Sequence, residues 1–180
     1  MADRGDKAVS VEGLAAAAGK AGTAGLPPVH LWNPPFCGDL DMEIRADGTW
    51  FHGGTPIGRP AMVRLFSTIL RRDGDRFFLV TPVEKVGIRV VDAPFVAVDA
   101  DIAPDGVTFI TNVGDRVTAG PDNPLTVRGT VHEPRPYVHV RAGLEALIDR
   151  KTFYRLAEAA IERGGRTGIA SGGAFFPLEP

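Results

Sequence analysis

Asp41-Met42-Glu43-Ile44-Arg45-Ala46-Asp47-Gly48-Thr49-Trp50-Phe51 decides the reading of this chain, because it returns 58 residues later. The second copy is Asp99-Ala100-Asp101-Ile102-Ala103-Pro104-Asp105-Gly106-Val107-Thr108-Phe109. Five of eleven positions are identical, and Glu43 matches Asp101 in charge. Each copy reads as a hairpin: an alternating strand runs into Asp-Gly, whose glycine tolerates positive φ, and an apolar strand returns. Asp-Gly hairpins are common, so coincidence competes with duplication. Duplication predicts that the two hairpins superpose, with Ile44 and Ile102 buried in equivalent places and Phe51 matching Phe109; a helical segment, or hairpins packed in unrelated surroundings, would overturn it.

Outward from the first copy, Pro60 to Arg72 reads as an amphipathic helix. At about 100° per residue, Met62, Val63, Leu65, Phe66, Ile69 and Leu70 share one side. Arg64 and Arg71 fall opposite and are expected to be exposed. Arg76 to Val80 reads as a buried strand, broken by Thr81-Pro82, and Val86, Ile88 and Val90 carry a further strand or two. Outward from the second copy, strands are expected near 94–102, 107–112, 125–131 and 137–141, with a short one from Leu144 to Ile148. A last helix begins near Asp149 or Thr152, carries Phe153, Leu156, Ala157, Ala160 and Ile161 as its stripe, and ends at Gly164-Gly165. Strands and helices do not alternate as βαβ units. The class is α+β, with mostly antiparallel strands and two related halves, each a hairpin-plus-helix unit. The boundaries are an Ala/Gly-rich arm over 1–26, a first repeat over 27–88 and a second over 89–180. The arm is read as mobile apart from a helical turn capped by Ser10.

The 20 basic and 22 acidic residues leave a net charge of −2, so no global basic field exists to hold nucleic acid or an anionic membrane. The apolar runs, such as Phe77 to Val80, are far shorter than the roughly 20 residues of a membrane span. A single cysteine, Cys37, excludes an intrachain disulfide framework and multi-cysteine metal sites. The lack of a signal peptide in the sequence as read points to the cytoplasm.

Gly53-Gly54-Thr-Pro-Ile-Gly58-Arg59-Pro60 has the glycine spacing of a P-loop, but Arg59 stands where lysine belongs and Pro60 replaces the hydroxyl that holds magnesium. A lesser reading survives: a glycine-containing loop feeding a helix N-terminus, with Arg59 beside it, suits an anion. An ordinary ligand-free turn is the bland alternative. Asp39, Asp41 and Glu43 put three carboxylates on one strand face, as a wet strand face also does. None of His30, His52, His132 and His139 has metal-ligand spacing. Ser171 lies outside any Gly-x-Ser-x-Gly elbow, and Cys37 reads as a small buried residue. Trp32, Phe36, Trp50 and Phe51 suit a stacking surface for a flat ligand and suit core packing equally. No metal site and no cofactor follow from these residues.

Several strings in order carry a resemblance. They are Pro28-Val-His-Leu-Trp-Asn-Pro-Pro-Phe-Cys-Gly-Asp39, Gly48-Thr-Trp-Phe51, Gly54-Thr-Pro-Ile57, Val63-Arg-Leu-Phe66, Thr81-Pro-Val-Glu-Lys85 and Ser171-Gly-Gly-Ala-Phe-Phe176. Residues 27–178 resemble an uncharacterised bacterial family catalogued as domain of unknown function 1285. The resemblance implies a duplicated α+β core whose second half looks like a pleckstrin-homology-type half-barrel. It also implies a cleft between the halves holding a nucleotide-like ligand, and a signalling role.

Three functions follow as expectations. The first is a regulatory protein binding a small anionic, phosphate-bearing molecule, with Arg59 and Lys85 pairing its charge, Trp50 stacking and His52 hydrogen-bonding. The second is an interaction scaffold without a small ligand. The third, an enzyme, needs an acid–base pair assembled from distant residues, and no local motif supplies one.

Overall fold

The computed structural model describes residues 9–21 and 25–180. The chain divides into two compact units, the first running to Ile44 and over Trp50–Arg89, the second comprising Arg45–Thr49 and Val90–Pro180. The class is α+β, with three helices among the described residues and two six-stranded mixed sheets. None of the helices is long and apolar enough to cross a membrane.

The first unit contains α1 (Val11–Ala21), β1 (Phe36–Ile44), β2 (Trp50–His52), β3 (Thr55–Pro56), α2 (Pro60–Thr68), β4 (Leu70–Asp73), β5 (Arg76–Val80) and β6 (Lys85–Val90). Its sheet has the order β3-β2-β1-β6-β5-β4. The second contains β7 (Phe95–Ala103), β8 (Gly106–Thr111), β9 (Arg116–Thr118), β10 (Leu125–Gly129), β11 (Pro134–Arg141), β12 (Leu144–Ile148), α3 (Arg150–Glu158), β13 (Ile161–Arg163), β14 (Arg166–Ser171) and β15 (Ala174–Pro177). Its large sheet has the order β10-β11-β12-β7-β8-β9, with β12 and β7 parallel, and it curls into a half-barrel. The last three strands form a small separate sheet, β13-β14-β15.

Both copies of the repeated segment are hairpins, and their outgoing strands share one parity, although Ile102 is less buried than the expected match to Ile44. Met42 and Ala100 are buried, Ile44 is fully buried and Ile102 half-buried, while Asp41 and Asp99 face solvent. The return strands do not agree. In the first copy Ile44 pairs with Trp50, and Arg45 bonds Thr49 across a three-residue loop. In the second, Ala103 pairs with Gly106 across two residues. Gly48 sits at φ 86° at the end of its loop, whereas Gly106 opens a strand. One residue of difference reverses the side-chain parity of the return strand. Trp50 is therefore buried and Phe51 half-buried in the first hairpin, while Phe109 is buried and Thr108 half-buried in the second. The expected match of Phe51 with Phe109 fails at this point.

Alpha-helical periodicity read α2 correctly at its centre and too far at its end. Phe66 is buried, Leu65 half-buried and Arg64 exposed, as the 3.6-residue period requires. The helix stops at Thr68, however, and Ile69 caps it. Arg71 therefore belongs to β4, its side chain only 15% exposed, and donates to the carbonyls of Val29 (2.9 Å) and Trp32 (2.7 Å). That corrects the expectation of a solvated Arg71.

Two other expectations change. The Ala/Gly arm contributes α1, which packs on α2. Ser10 Oγ accepts from Gly13 N at 3.0 Å, so it caps the helix as expected, and Val11, Leu14 and Ala18 form the buried stripe. Residues 1–8 and 22–24 of that arm lie outside the described residues. At the other end, α3 begins after Asp149, whose carboxylate accepts from Thr152 N at 2.8 Å, but it stops at Glu158. Gly164-Gly165 turns a hairpin between β13 and β14 instead of ending a helix. Gly53-Gly54 and Gly172-Gly173 do the same, and all six glycines have positive φ, which a two-residue I′-type turn demands at both positions.

Candidate functional site

Beta-strand β2 ends at His52, the Gly53-Gly54 turn reverses the chain, and Ile57 N–H bonds back to Trp50 C=O at 2.8 Å. This short return delivers Gly58 and Arg59 directly to the start of α2. Arg59 is the N-cap residue, in extended conformation, and Pro60 fills the first helical turn, where its missing N–H costs nothing. Across from them lies the first turn of α1. Together Val11, Glu12, His52, Ile57, Arg59 and Met62 line a recess of about 230 Å³. Val11 is buried and Met62 and Ile57 are half-buried, so apolar side chains sit among an exposed acid, an imidazole and a guanidinium.

Among the described residues, the Arg59, His52 and Glu12 side chains have no hydrogen-bond or ion-pair partner. Most other cations of the first unit are committed. Arg76 pairs with Asp39 (2.6 Å), and Arg89 pairs with Asp41 (2.8 Å) and Glu43 (3.3 Å). The three carboxylates of β1 are thus one side of a cross-strand charge ladder. Among the described residues, no group of three or more His, Cys, Asp or Glu is placed to hold a metal.

Of the residues singled out in the sequence, His52 and Arg59 meet in the recess. Lys85 and Trp50 do not line it. Lys85 Nζ bonds Asp73 at 2.7 Å and lies 4.1 Å from the centre of the Phe78 ring. Arg71 grips the same carboxylate, and its guanidinium, followed by Lys85, holds the Asp73 pKa below the usual aspartate value although burial opposes this. Trp50 is 1% exposed and stacks on Phe66 at 6.3 Å, so its ring belongs to the core. Cys37 is exposed, contrary to the expectation of burial, and its Sγ faces the Pro35 carbonyl. Ser171 is 2% exposed with both roles of its hydroxyl used: it accepts from Val107 N–H (2.9 Å) and donates to Ala119 C=O (2.7 Å). Glu12 was not foreseen. The signal for it was the spacing of Val11, Leu14 and Ala18, which fixes the face of α1 that docks and leaves Glu12 beside it.

In the second unit a polar cluster is internally paired. Tyr137 Oη donates to Asp92 (2.7 Å) and accepts from Arg135 (3.1 Å), and Arg135 also pairs with Asp92. Arg128 lies 4.6 Å from the Tyr137 ring centre and pairs with Glu145. Burial first of all pushes the Tyr137 phenol up from its ordinary pKa. These groups tie neighbouring strands of the second unit together through paired charges.

Comparison with known proteins bears on both units. Residues 27–93 match the family model described as domain of unknown function (DUF1285), N-terminal domain, and residues 94–178 match the one described as protein of unknown function (DUF1285), C-terminal domain. No curated protein matches. A crystal structure of a DUF1285 family protein from Silicibacter pomeroyi DSS-3 is 60% identical, covers 93% of this chain and 94% of its own, and superposes with a TM-score of 0.86. A second, from Shewanella baltica OS155, is 27% identical, covers 66% of this chain and 91% of its own, with a TM-score of 0.54. With both halves matched in order and a 60% identical relative over nearly its whole length, this chain belongs to the DUF1285 family.

Proposed function

We propose that this protein is a regulatory ligand-binding protein, and that the recess of its first unit receives the anionic group of a small phosphate-bearing molecule. One observation carries the reading: Arg59 lines a concavity beside His52 with no acidic partner among the described residues. A guanidinium presents a fork of donors that matches phosphate or carboxylate, and His52 adds a further donor. The apolar wall of Val11, Ile57 and Met62 gives the non-polar part of a ligand a surface to pack against. At about 230 Å³ the recess falls below the roughly 300–1,000 Å³ of sites that enclose drug-sized ligands. It suits a phosphate with a few attached atoms. Lys85 supports the unit through Asp73 in this reading, and Trp50 supports it through Phe66.

The test is a thermal-shift and calorimetric screen with inorganic phosphate, phosphomonoesters and nucleoside monophosphates. Arg59→Ala is expected to weaken binding of any hit about tenfold to a hundredfold, the scale of a lost charge-assisted hydrogen bond. The melting temperature of the free protein should barely change, since Arg59 is exposed. Equal affinity in Arg59→Ala and wild type removes the site.

A further inference from the structure

We infer that the recess selects a zwitterion: a small molecule carrying an ammonium group together with its phosphate, the ammonium being held by Glu12. This rests on the reading of Arg59 as the anion anchor and adds the class of ligand. The observation behind it is that α1 brings a carboxylate to the same recess. Glu12 sits in the first turn of a helix whose start is capped by Ser10 and whose Val11, Leu14 and Ala18 are buried, so the acid is carried there by a docked element. It makes no ion pair with Arg59, and neither side chain has another partner among the described residues.

A lone carboxylate at the rim works against a ligand that is anionic throughout, because it repels the charge that Arg59 attracts. The same carboxylate favours a ligand with a positive end. An acid and a cation that line one small concavity, neither paired among the described residues, are therefore complementary to a dipolar ion, and they disfavour a plain phosphate or a polyphosphate. The size agrees, since about 230 Å³ admits a phosphate, an ammonium and a short link. Glu12 also precedes residue 27, where the match to the family model begins, so the second charge comes from a helix outside that segment.

The experiment compares two probes of nearly equal size, O-phosphoethanolamine and ethyl phosphate, by calorimetry on the full chain, with wild type, Glu12→Gln and Arg59→Gln. Phosphoethanolamine is expected to bind wild type at least about tenfold more tightly than ethyl phosphate. Glu12→Gln should erase that preference while ethyl phosphate binds as well as before or better, and Arg59→Gln should weaken both probes. If ethyl phosphate binds wild type as tightly as phosphoethanolamine and still depends on Arg59, the zwitterion inference is wrong and the anion site stands. If a preference for phosphoethanolamine survives Glu12→Gln, Glu12 is not its origin and the inference is again wrong. If neither probe binds at 10 mM, roughly the weak limit of a useful site, both readings fall.

Discussion

At the scale of single residues, two side chains show how a polar group becomes structural. Ser171 joins the small sheet to β8 and to Ala119, and its hydroxyl is the acceptor for Val107 N–H. Ser171→Ala leaves that N–H buried without an acceptor, which costs about 1–3 kcal/mol. Urea unfolding should show the midpoint lowered accordingly, and an unchanged midpoint would mean that water replaces the hydroxyl. Asp73 makes the second case. Its folded pKa lies below the ordinary 3.8, chiefly through Arg71 and also through Lys85. Unfolding therefore takes up a proton in acid, and this contribution to stability is present above about pH 4 and lost as pH falls through the folded value. Asp73→Asn should be less stable at neutral pH and show a flatter decline below pH 4. The effect should be modest, because the carboxylate is 37% exposed. Neither role was legible in the sequence. Ser171 depends on Val107, 64 residues away, and Asp73 depends on Lys85, 12 residues away, and on Arg71 lying in a strand instead of the expected helix.

Among the elements, α1 and the hairpins separate what periodicity reveals from what it hides. The Val11, Leu14, Ala18 spacing was visible, but Ala/Gly-rich composition argued for a loose arm, since an isolated helix of eleven residues is marginal in water. Packing on α2 changes that balance. Leu14 is fully buried, so Leu14→Ala should remove much of the docking energy, with full-core truncations costing about 2–5 kcal/mol. Hydrogen exchange should then quicken across residues 11–21 and in the facing turns of α2. Protection retained in α1 would show that Leu14 is not its anchor. For the hairpins, Gly53-Gly54, Gly164-Gly165 and Gly172-Gly173 were all in view, and a two-residue turn is their simplest reading. Local pattern points to a helix stop at Gly164, because Ala160 and Ile161 continue the apolar stripe of α3. Ile161 instead starts β13, which pairs with β14 through Gly168. Local pattern cannot distinguish these states when the deciding contacts lie on another strand.

For the whole molecule, two compact units, each with its own buried apolar residues, predict two unfolding events. Both tryptophans, Trp32 and Trp50, lie in the first unit, and both tyrosines, Tyr137 and Tyr154, lie in the second. Unfolding followed by tryptophan emission should therefore not coincide with unfolding followed by far-ultraviolet dichroism, which reads all the strands. A single coincident transition would show one cooperative unit. The sequence by itself determined the α+β class, the two-part organisation, most strands, the Ser10 cap, the choice of Asp149 or Thr152 for the last helix and the family, because caps, alternation and turn residues act within a few positions of one another. Tertiary structure alone decided the reversed parity of the two return strands, the transfer of Arg71 from helix to sheet, the burial of Trp50 and the meeting of Glu12 with Arg59. Those outcomes depend on loop length and on contacts between distant segments. A one-residue change in a loop, or a helix docked from 40 residues away, moves a side chain from solvent to core without altering the local pattern that a sequence displays.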